Sequence, residues 1–175
     1  MDNITKDTLL RLLRAQWQTE NSKQAHLLRE QGRDMEAYKY ECCAALVDAP
    51  DLGADTLVGL LQSPQGIEYI CTHGIPSKEQ VKQLGEGYPL PQMGVYIDAG
   101  EHWLHNPEPH NGVLIAMGST CLNVTLTGVR CPVRAVVALY GATVNIEAKD
   151  WAVCRTITDK TSHLTALATN NGTIL

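Results

Sequence analysis

The chain has 175 residues, enough for one or two domains with a substantial hydrophobic core. Its formal net charge is −5 and its basic residues are scattered, which disfavours nucleic-acid binding, because that activity needs positive charge against phosphates. No run approaches the roughly 18 apolar residues of a membrane helix, and no basic segment followed by an apolar stretch opens the chain. We therefore expect a cytoplasmic protein that does not bind nucleic acid or membranes.

The six cysteines are spread along the chain without a C-x-x-C pair, which disfavours a zinc ribbon and a thioredoxin-like site. Because no secretory signal is present, we expect reduced and mostly buried thiols. The chain also lacks the glycine-rich fingerprints of nucleotide-binding proteins, so we expect no cofactor. The cysteines are Cys42, Cys43, Cys71, Cys121, Cys131 and Cys154.

Residues 1–84 are predicted to be helical. Apolar residues at helical spacing predict a first helix over 5–31, capped by Thr5, and a second over 34–46 after the helix-ending Gly32. Two helices with so short a link pack as an antiparallel hairpin. This hairpin resembles one tetratricopeptide repeat, but a single repeat cannot stack into a solenoid, so we interpret it as an ordinary helical hairpin.

Three shorter helices are predicted next, each marked by capping residues. The first spans 54–62, the second begins after Ser63 with a proline at its first position, and the third opens at the capping box Ser77–Gln80. The Gly- and Pro-rich segment 85–93 is predicted to be a linker. It separates the helices from a β domain predicted over 94–175.

The β domain carries a repeat of two short strands broken at a turn. The turns fall at Gly100, Gly118, Gly141 and Asp159, which indicates an eighteen-residue repeat with one longer gap, absorbed by a loop at 127–132. Near-continuous apolar runs alternate with half-exposed strands, which favours parallel stacking. We therefore predict an α+β fold in which the helical region is followed by a short parallel β-helix, or β-solenoid, of about four coils.

Two alternatives to this architecture stay open. A β-sandwich or jelly roll is the main one, because four repeats are few and one of them is stretched. A left-handed β-helix of the acyltransferase type uses coils of the same length. It requires a hexapeptide repeat with an aliphatic residue at every sixth position, and this chain lacks that strict repeat. The ends of a solenoid must be covered, and we expect the helices to cover one end and the tail 170–175 the other.

The densest group of potential metal ligands surrounds Trp103. Histidines and carboxylates this close together could hold zinc or another divalent ion, or could act as acid and base. The competing interpretation is an exposed loop between two coils, because strand geometry would send neighbouring side chains to opposite faces. The five residues are Glu101, His102, His105, Glu108 and His110.

Two further sets of residue types could support nucleophilic catalysis, but neither has a supporting motif. Cys71 and His73 lie two residues apart on a predicted helix end, where their side chains point in different directions. Ser162, His163 and Asp159 lack the G-x-S-x-G elbow of serine hydrolases. Core packing and turn hydrogen bonds explain both sets equally well.

Four aromatic residues in or beside the β domain are candidate anchors for a partner protein or a glycan. They are Tyr88, Tyr96, Trp103 and Trp151. Large aromatic side chains that are exposed on one face are typical binding hot spots. The alternative for Trp151 is that it packs between coils.

Three segments of the chain carry a family resemblance. They are Leu60-Leu-Gln-Ser-Pro-Gln-Gly-Ile-Glu-Tyr-Ile70, Gly74-Ile-Pro-Ser-Lys-Glu-Gln80 and Gly94-Val-Tyr-Ile-Asp-Ala-Gly-Glu101. In these segments the chain resembles small proteins from Bacteroidetes genomes, their prophages and mobile elements. The resemblance implies a helical region followed by a short β-solenoid over roughly residues 57–170, and it supplies no catalytic residues.

These features favour a non-enzymatic module for protein interaction or assembly, in a phage or mobile-element setting. Its expected partner is another protein or a second copy of itself. One alternative is a small metal-dependent hydrolase that uses the 101–110 cluster. The other is a glycan-binding module that uses Trp103.

Overall fold

A computed structural model describes residues 5–41 and 53–175. The helices are α1 (Lys6–Glu30), α2 (Asp34–Glu41), α3 (Ala54–Leu61), α4 (Pro64–His73) and α5 (Lys78–Leu84). The strands are β1 (Val95–Ile97), β2 (Glu101–His105), β3 (Val113–Met117), β4 (Cys121–Thr127), β5 (Ala135–Leu139), β6 (Thr143–Lys149), β7 (Val153–Thr158), β8 (His163–Ala168) and β9 (Thr173–Ile174). None of the described helices is both long enough and apolar enough to cross a membrane.

The predicted helix starts are confirmed by their capping hydrogen bonds. The Thr5 hydroxyl accepts from the backbone N–H of the third residue after it, and Ser63 does the same ahead of Pro64. Ser77 and Gln80 form a reciprocal capping box. The first predicted hairpin helix is confirmed and the second is confirmed to residue 41; its predicted remainder lies outside the described residues.

The β domain is a parallel β-solenoid of about four coils, as predicted. All strand pairs are parallel, and they form two sheets, one in the order β1-β3-β5-β7-β9 and one in the order β2-β4-β6-β8. The chain alternates between the two sheets at every turn. Each coil therefore contributes one strand to each sheet, and both sheets line one shared interior.

The length of a coil differs from the predicted eighteen residues. Val95 lies opposite Ile115 and Ala135 lies opposite Arg155, so these coils have 20 residues. Val113 lies opposite Ala135, so the coil between them has 22 residues. The two extra residues fall in the loop 128–134. This insertion lies close to its predicted position, but it is shorter than predicted.

The helices pack along the side of the solenoid and not over its end, contrary to expectation. They lie against the outer face of the five-stranded sheet, which we call the covered sheet. Ile115 and Val137 on that face join one core with Leu13 of α1 and Val58 of α3, and all four are at most 1% exposed. The four-stranded sheet, which we call the open sheet, has no helix on its outer face among the described residues. The structure thus has three layers.

Segment 85–93, predicted to be a linker, is in contact with both regions. It contains the 3-10 helix Leu90–Met93, and the Leu90 side chain is buried in the core that the helices share with the covered sheet. The division into domains at 1–84 and 94–175 stays a prediction.

Asp98 connects the first solenoid turn to helix α5. Its carboxylate accepts hydrogen bonds from the Ser119 backbone N–H at 3.0 Å and from the Lys78 amine at 3.0 Å, and it pairs with the Lys82 amine at 3.4 Å. These donors, the Ser119 N–H first, stabilise the ionised form and lower the Asp98 pKa to about 2. Protonation of this one group therefore weakens the contact between α5 and the solenoid.

Replacing Asp98 with asparagine is expected to remove a pH-dependent part of the stability. The folded pKa of about 2 lies below the usual 3.8, so the stabilisation is present above pH 3.8 and is lost as the pH falls through 2. The difference in unfolding free energy between wild type and Asp98→Asn should shrink over this range in urea titrations. The control is a variant of an exposed acidic residue on α3, Asp55→Asn, measured in the same titrations. A constant difference from pH 5 to 2 would contradict the prediction.

Candidate interaction surface on the open sheet

The outer face of the open sheet is formed by every second residue of its strands. In β4 the exposed fraction alternates strictly, and Leu122, Val124 and Leu126 point inward to the solenoid core. The other residues of β2, β4, β6 and β8 therefore point outward as a flat, regular array. The array consists of Glu101, Trp103, His105, Cys121, Asn123, Thr125, Thr127, Thr143, Asn145, Glu147, Lys149, His163, Thr165 and Leu167.

Trp103 dominates this face, because its side chain is 78% exposed in the first strand of the open sheet. The register places Asn123 and Asn145 next to it on successive strands. Asn145 donates to the Asn123 side-chain oxygen at 2.9 Å, and Asn123 donates to the Glu101 carboxylate at 3.0 Å. This amide ladder fixes the polar side chains that border the Trp103 ring.

The structure does not bring the five candidate metal ligands together. The His102 ring turns inward, lies 5.1 Å from the Tyr96 ring and hydrogen-bonds the Ala99 carbonyl at 3.1 Å. Glu101 and His105 point to the opposite face, as strand geometry predicts. Glu108 and His110 are exposed in the loop beyond β2. Within the described residues, no group of three or more His, Cys, Asp or Glu side chains is arranged to hold a metal ion.

The four aromatic candidates have different environments. Trp151 is 61% exposed on the turn after β6, so it does not pack between coils, and its φ of 73° is unusual for a bulky side chain. Tyr96 is only 8% exposed inside the solenoid, which removes it as a surface anchor. Tyr88 borders a groove of about 940 Å³ between α1, α5 and β1. The Lys6 amine lies 4.5 Å from the centre of the Tyr88 ring, so one face of that ring is already engaged.

The two sets considered for nucleophilic catalysis have structural roles. Burial raises the pKa of the Cys71 thiol, and a nearby Asp159 charge adds to this effect, which is opposite to the activation of a nucleophile. Burial favours a raised Asp159 pKa, but hydrogen bonds from Tyr140, Ser162 and Thr161 outweigh it and lower that pKa. The His163 side chain points outward on the open sheet. Asp159 and Ser162 therefore stabilise a turn.

Sequence reasoning missed two features of the surface. The amide ladder could have been found from Asn123 and Asn145, which occupy the same position in successive coils. The second feature is the exposed edge of β8 at the C-terminal end of the solenoid. The tail was expected to cover that end, and it does so in part: Thr173–Ile174 pairs with β7, and Ile174 packs against the interior core.

Comparisons with protein-family models, with curated proteins and with solved structures found no match to this chain. The case for a function therefore rests on the chemistry of the surfaces described above.

Proposed function

We propose that this protein is a non-enzymatic interaction module that binds a partner protein through the outer face of the open sheet. The observation that carries the proposal is that the outer faces of the two sheets are covered to different extents. Helices bury the outer face of one, whereas no helix of residues 5–41 or 53–175 covers the outer face of the other, which has a tryptophan that is 78% exposed. Exposing a ring of this size to water is unfavourable, and such residues are enriched at the centres of protein interfaces.

The surroundings of Trp103 support recognition and not chemistry. Asn123, Thr125 and Asn145 present uncharged polar groups, and the ladder holds two of them in place. A rigid sheet loses little conformational entropy on binding, so a flat partner surface can be bound without rearrangement. We therefore propose Trp103 as the anchor and the neighbouring amides as groups that determine specificity.

The proposed setting is the cytoplasm, in association with a phage or mobile element. The cytoplasmic part is supported by the cysteines that the structure describes, which are all free thiols. The phage part is supported by the sequence resemblance over segments 60–70, 74–80 and 94–101.

A glycan is the second candidate ligand for the same face. The specific observation is that an exposed indole is bordered by a carboxylate and an amide, Glu101 and Asn123, which are joined at 3.0 Å. A sugar ring can stack on an aromatic face while its hydroxyls bond to such groups. The partner protein and the glycan are different ligands, but both would bind to Trp103 as their anchor.

The test compares wild type with Trp103→Ala and a matched control, Trp151→Ala, because both tryptophans are exposed. Each protein is immobilised and exposed to host lysate for quantitative mass spectrometry, and to a glycan array in parallel. We expect a protein that wild type and Trp151→Ala retain and that Trp103→Ala loses by at least about tenfold, or about 1.4 kcal/mol of binding energy.

If wild type and Trp151→Ala bind a glycan on the array and Trp103→Ala does not, the ligand of this face is a sugar and not a partner protein. Equal retention by Trp103→Ala and wild type, or no retention by any of the three proteins, would contradict the proposed surface. Circular dichroism spectra that match wild type show that each variant is folded.

A further inference from the structure

Strand β2 is the first strand of the open sheet, and no strand of residues 5–41 or 53–175 pairs with the side of its backbone that faces away from β4. The Gly100 carbonyl accepts a bond from β4 at 2.8 Å, and the Asn106 N–H donates one to β4 at 3.0 Å. In a parallel pair every second residue bonds to one neighbour, so the N–H and C=O groups of the residues between these bonds alternate in direction. The groups that point away from β4 belong to Glu101, Trp103 and His105.

This edge is accessible from solvent. Glu101, Trp103 and His105 are all exposed, and the strand is short because turns with positive φ at Gly100 and Asn106 bound it on both sides. All the outward-pointing backbone groups of β2 therefore lie within one straight segment. A second strand could bond to every one of them.

The segment that precedes the solenoid lies against the helices and not against β2. The Lys6 amine of α1 donates to the Glu86 carbonyl at 2.6 Å and lies 4.5 Å from the centre of the Tyr88 ring. The Leu90 side chain is buried in the core that the helices share with the covered sheet. Segment 85–91 is therefore on the covered side of the solenoid.

The inward side chains of β2 add apolar surface to the same edge. Leu104 is half-buried, although Val124, its neighbour on β4, is only 3% exposed. His102 is also half-buried, whereas the adjacent Leu122 is 0% exposed. A strand that pairs with β2 would cover these side chains, so apolar burial would add to the backbone hydrogen bonds.

The edge is complementary to itself in one antiparallel register. With Trp103 opposite Trp103 of a second copy, Glu101 of each copy lies opposite His105 of the other. All the facing pairs are then of the hydrogen-bonded type, in which the two residues exchange both N–H···O bonds. The His105 ring N–H can donate to the Glu101 carboxylate, which has acceptor capacity beyond its bond from Asn123 at 3.0 Å.

The charged residue at this edge selects both the register and the kind of partner. Charges on edge strands normally prevent unspecific pairing. A shift that places Glu101 opposite Glu101 brings two like charges together and moves His105 beyond the facing strand. The carboxylate and the imidazole match only in the register centred on Trp103, which favours a second copy of this chain over an unrelated strand.

We propose that the protein forms a two-fold dimer in which the β2 strands of two copies pair antiparallel and join their open sheets into one eight-stranded sheet. The same surface of each copy forms this contact. A contact between identical surfaces is closed by its two-fold axis, so it joins two copies and does not propagate.

The dimer places the two Trp103 rings side by side at the centre of the joined face. The Cα atoms of a hydrogen-bonded antiparallel pair are about 5.5 Å apart, so the two indoles, each 78% exposed in a single copy, can pack against each other. The proposed binding face then has a double aromatic anchor at its centre. Only this consequence rests on the proposed function.

The experiment is sedimentation equilibrium of the 175-residue chain over a wide concentration range, where we expect wild type at twice the 19.2 kDa chain mass. His105→Glu places carboxylates opposite each other at both ends of the strand pair and should weaken dimerisation at least about tenfold. The double variant Glu101→Lys, His105→Glu restores opposite charges and should dimerise within about threefold of wild type. The control His163→Glu makes the same change on the outer face of β8, away from β2, and should dimerise like wild type.

Amide hydrogen exchange identifies the strand that forms the contact. In the wild-type dimer the N–H groups of Glu101, Trp103 and His105 should be protected. In His105→Glu they should exchange quickly, while the N–H groups of His102 and Leu104 stay protected by β4.

Three results would overturn the proposal. They are a wild type that is monomeric at every concentration, a double variant that dimerises as weakly as His105→Glu, and a dimer in which the outward N–H groups of β2 exchange quickly. A monomeric wild type that retains a host protein which His105→Glu loses would assign the edge to a strand of that protein instead. The comparison of Trp103→Ala with Trp151→Ala in lysate does not depend on these results, so the proposed function is tested separately.

Discussion

Replacing Trp17 with alanine is expected to lower the free energy of unfolding by about 3–5 kcal/mol, because it leaves a large cavity in the core shared by helices and solenoid. The Trp17 side chain is 0% exposed, and its ring stacks on Tyr69 with 4.0 Å between centroids and 3° between planes. Tyr69 in turn donates its hydroxyl to the buried Asn21 side chain. The substitution therefore removes packing and disturbs a buried polar contact.

Trp17→Phe is the matched variant that separates packing from hydrogen bonding. The buried Trp17 indole N–H has no hydrogen-bond partner within the described residues, so its removal relieves a cost of about 1–3 kcal/mol. Phenylalanine keeps an aromatic ring against Tyr69, and we expect a loss below about 1.5 kcal/mol. Urea unfolding followed by far-ultraviolet circular dichroism measures both variants. Equal losses in the two variants would contradict the prediction, because they would mean that an aromatic ring packed against Tyr69 adds nothing to the stability.

The solenoid could be predicted from sequence because two kinds of strand recur in it. β3 is buried on both faces and reads as a continuous apolar run, whereas β4 and β6 are buried on one face and alternate. Their order along the chain indicates two sheets with different surroundings. The predicted strands at 113–117 and 143–148 agree with the structure to within one residue.

The coil length could not be predicted by aligning glycines. The register places Asp98, Gly118 and Tyr140 at the same turn position, directly after the paired Ile97, Met117 and Leu139. All three turn residues have positive φ, between 48° and 66°. An Asp adopts this conformation at low cost, and Tyr140 is held in it by the bond from its N–H to Asp159 at 2.7 Å. Glycine therefore marks the position in only one of these coils, and the glycine alignment is wrong by two residues between Gly100 and Gly118 and by one residue between Gly118 and Gly141.

The binding face was predictable only in part. Alternation correctly places His102 and Trp103 on opposite faces of a strand, which already weakens a shared metal site. It cannot tell which sheet the helices cover, because that depends on contacts between residues far apart in sequence, such as Val58 with the outer face of β3 and β5. The same limit applies to Tyr96, whose apolar and polar neighbours in sequence do not reveal that His102 covers it.

Replacing Gln62 with methionine is expected to destabilise the fold by about 2–5 kcal/mol, because two buried carbonyls lose a donor at a cost of about 1–3 kcal/mol each. The Gln62 side chain is buried directly after α3, and its amide nitrogen donates to the Met93 carbonyl at 2.9 Å and to the Val113 carbonyl at 2.7 Å. Val113 lies beyond the part of β3 that β1 pairs with, so no β1 residue supplies that bond. The Gln62 side chain thus supplies hydrogen bonds that the backbone of the first coil does not.

Methionine keeps the length of glutamine, so the loss reports the missing donors and not a cavity. The control is Gln65→Met on the exposed side of α4, which should change the unfolding free energy by less than about 0.5 kcal/mol. Hydrogen exchange locates the effect: the Ile115 N–H, which donates to the Gly94 carbonyl at 2.8 Å, should lose protection in Gln62→Met before the amides of β6 do. If both glutamine variants unfold at the same urea concentration, the first coil is held by the helix core alone and the Gln62 contacts contribute nothing measurable.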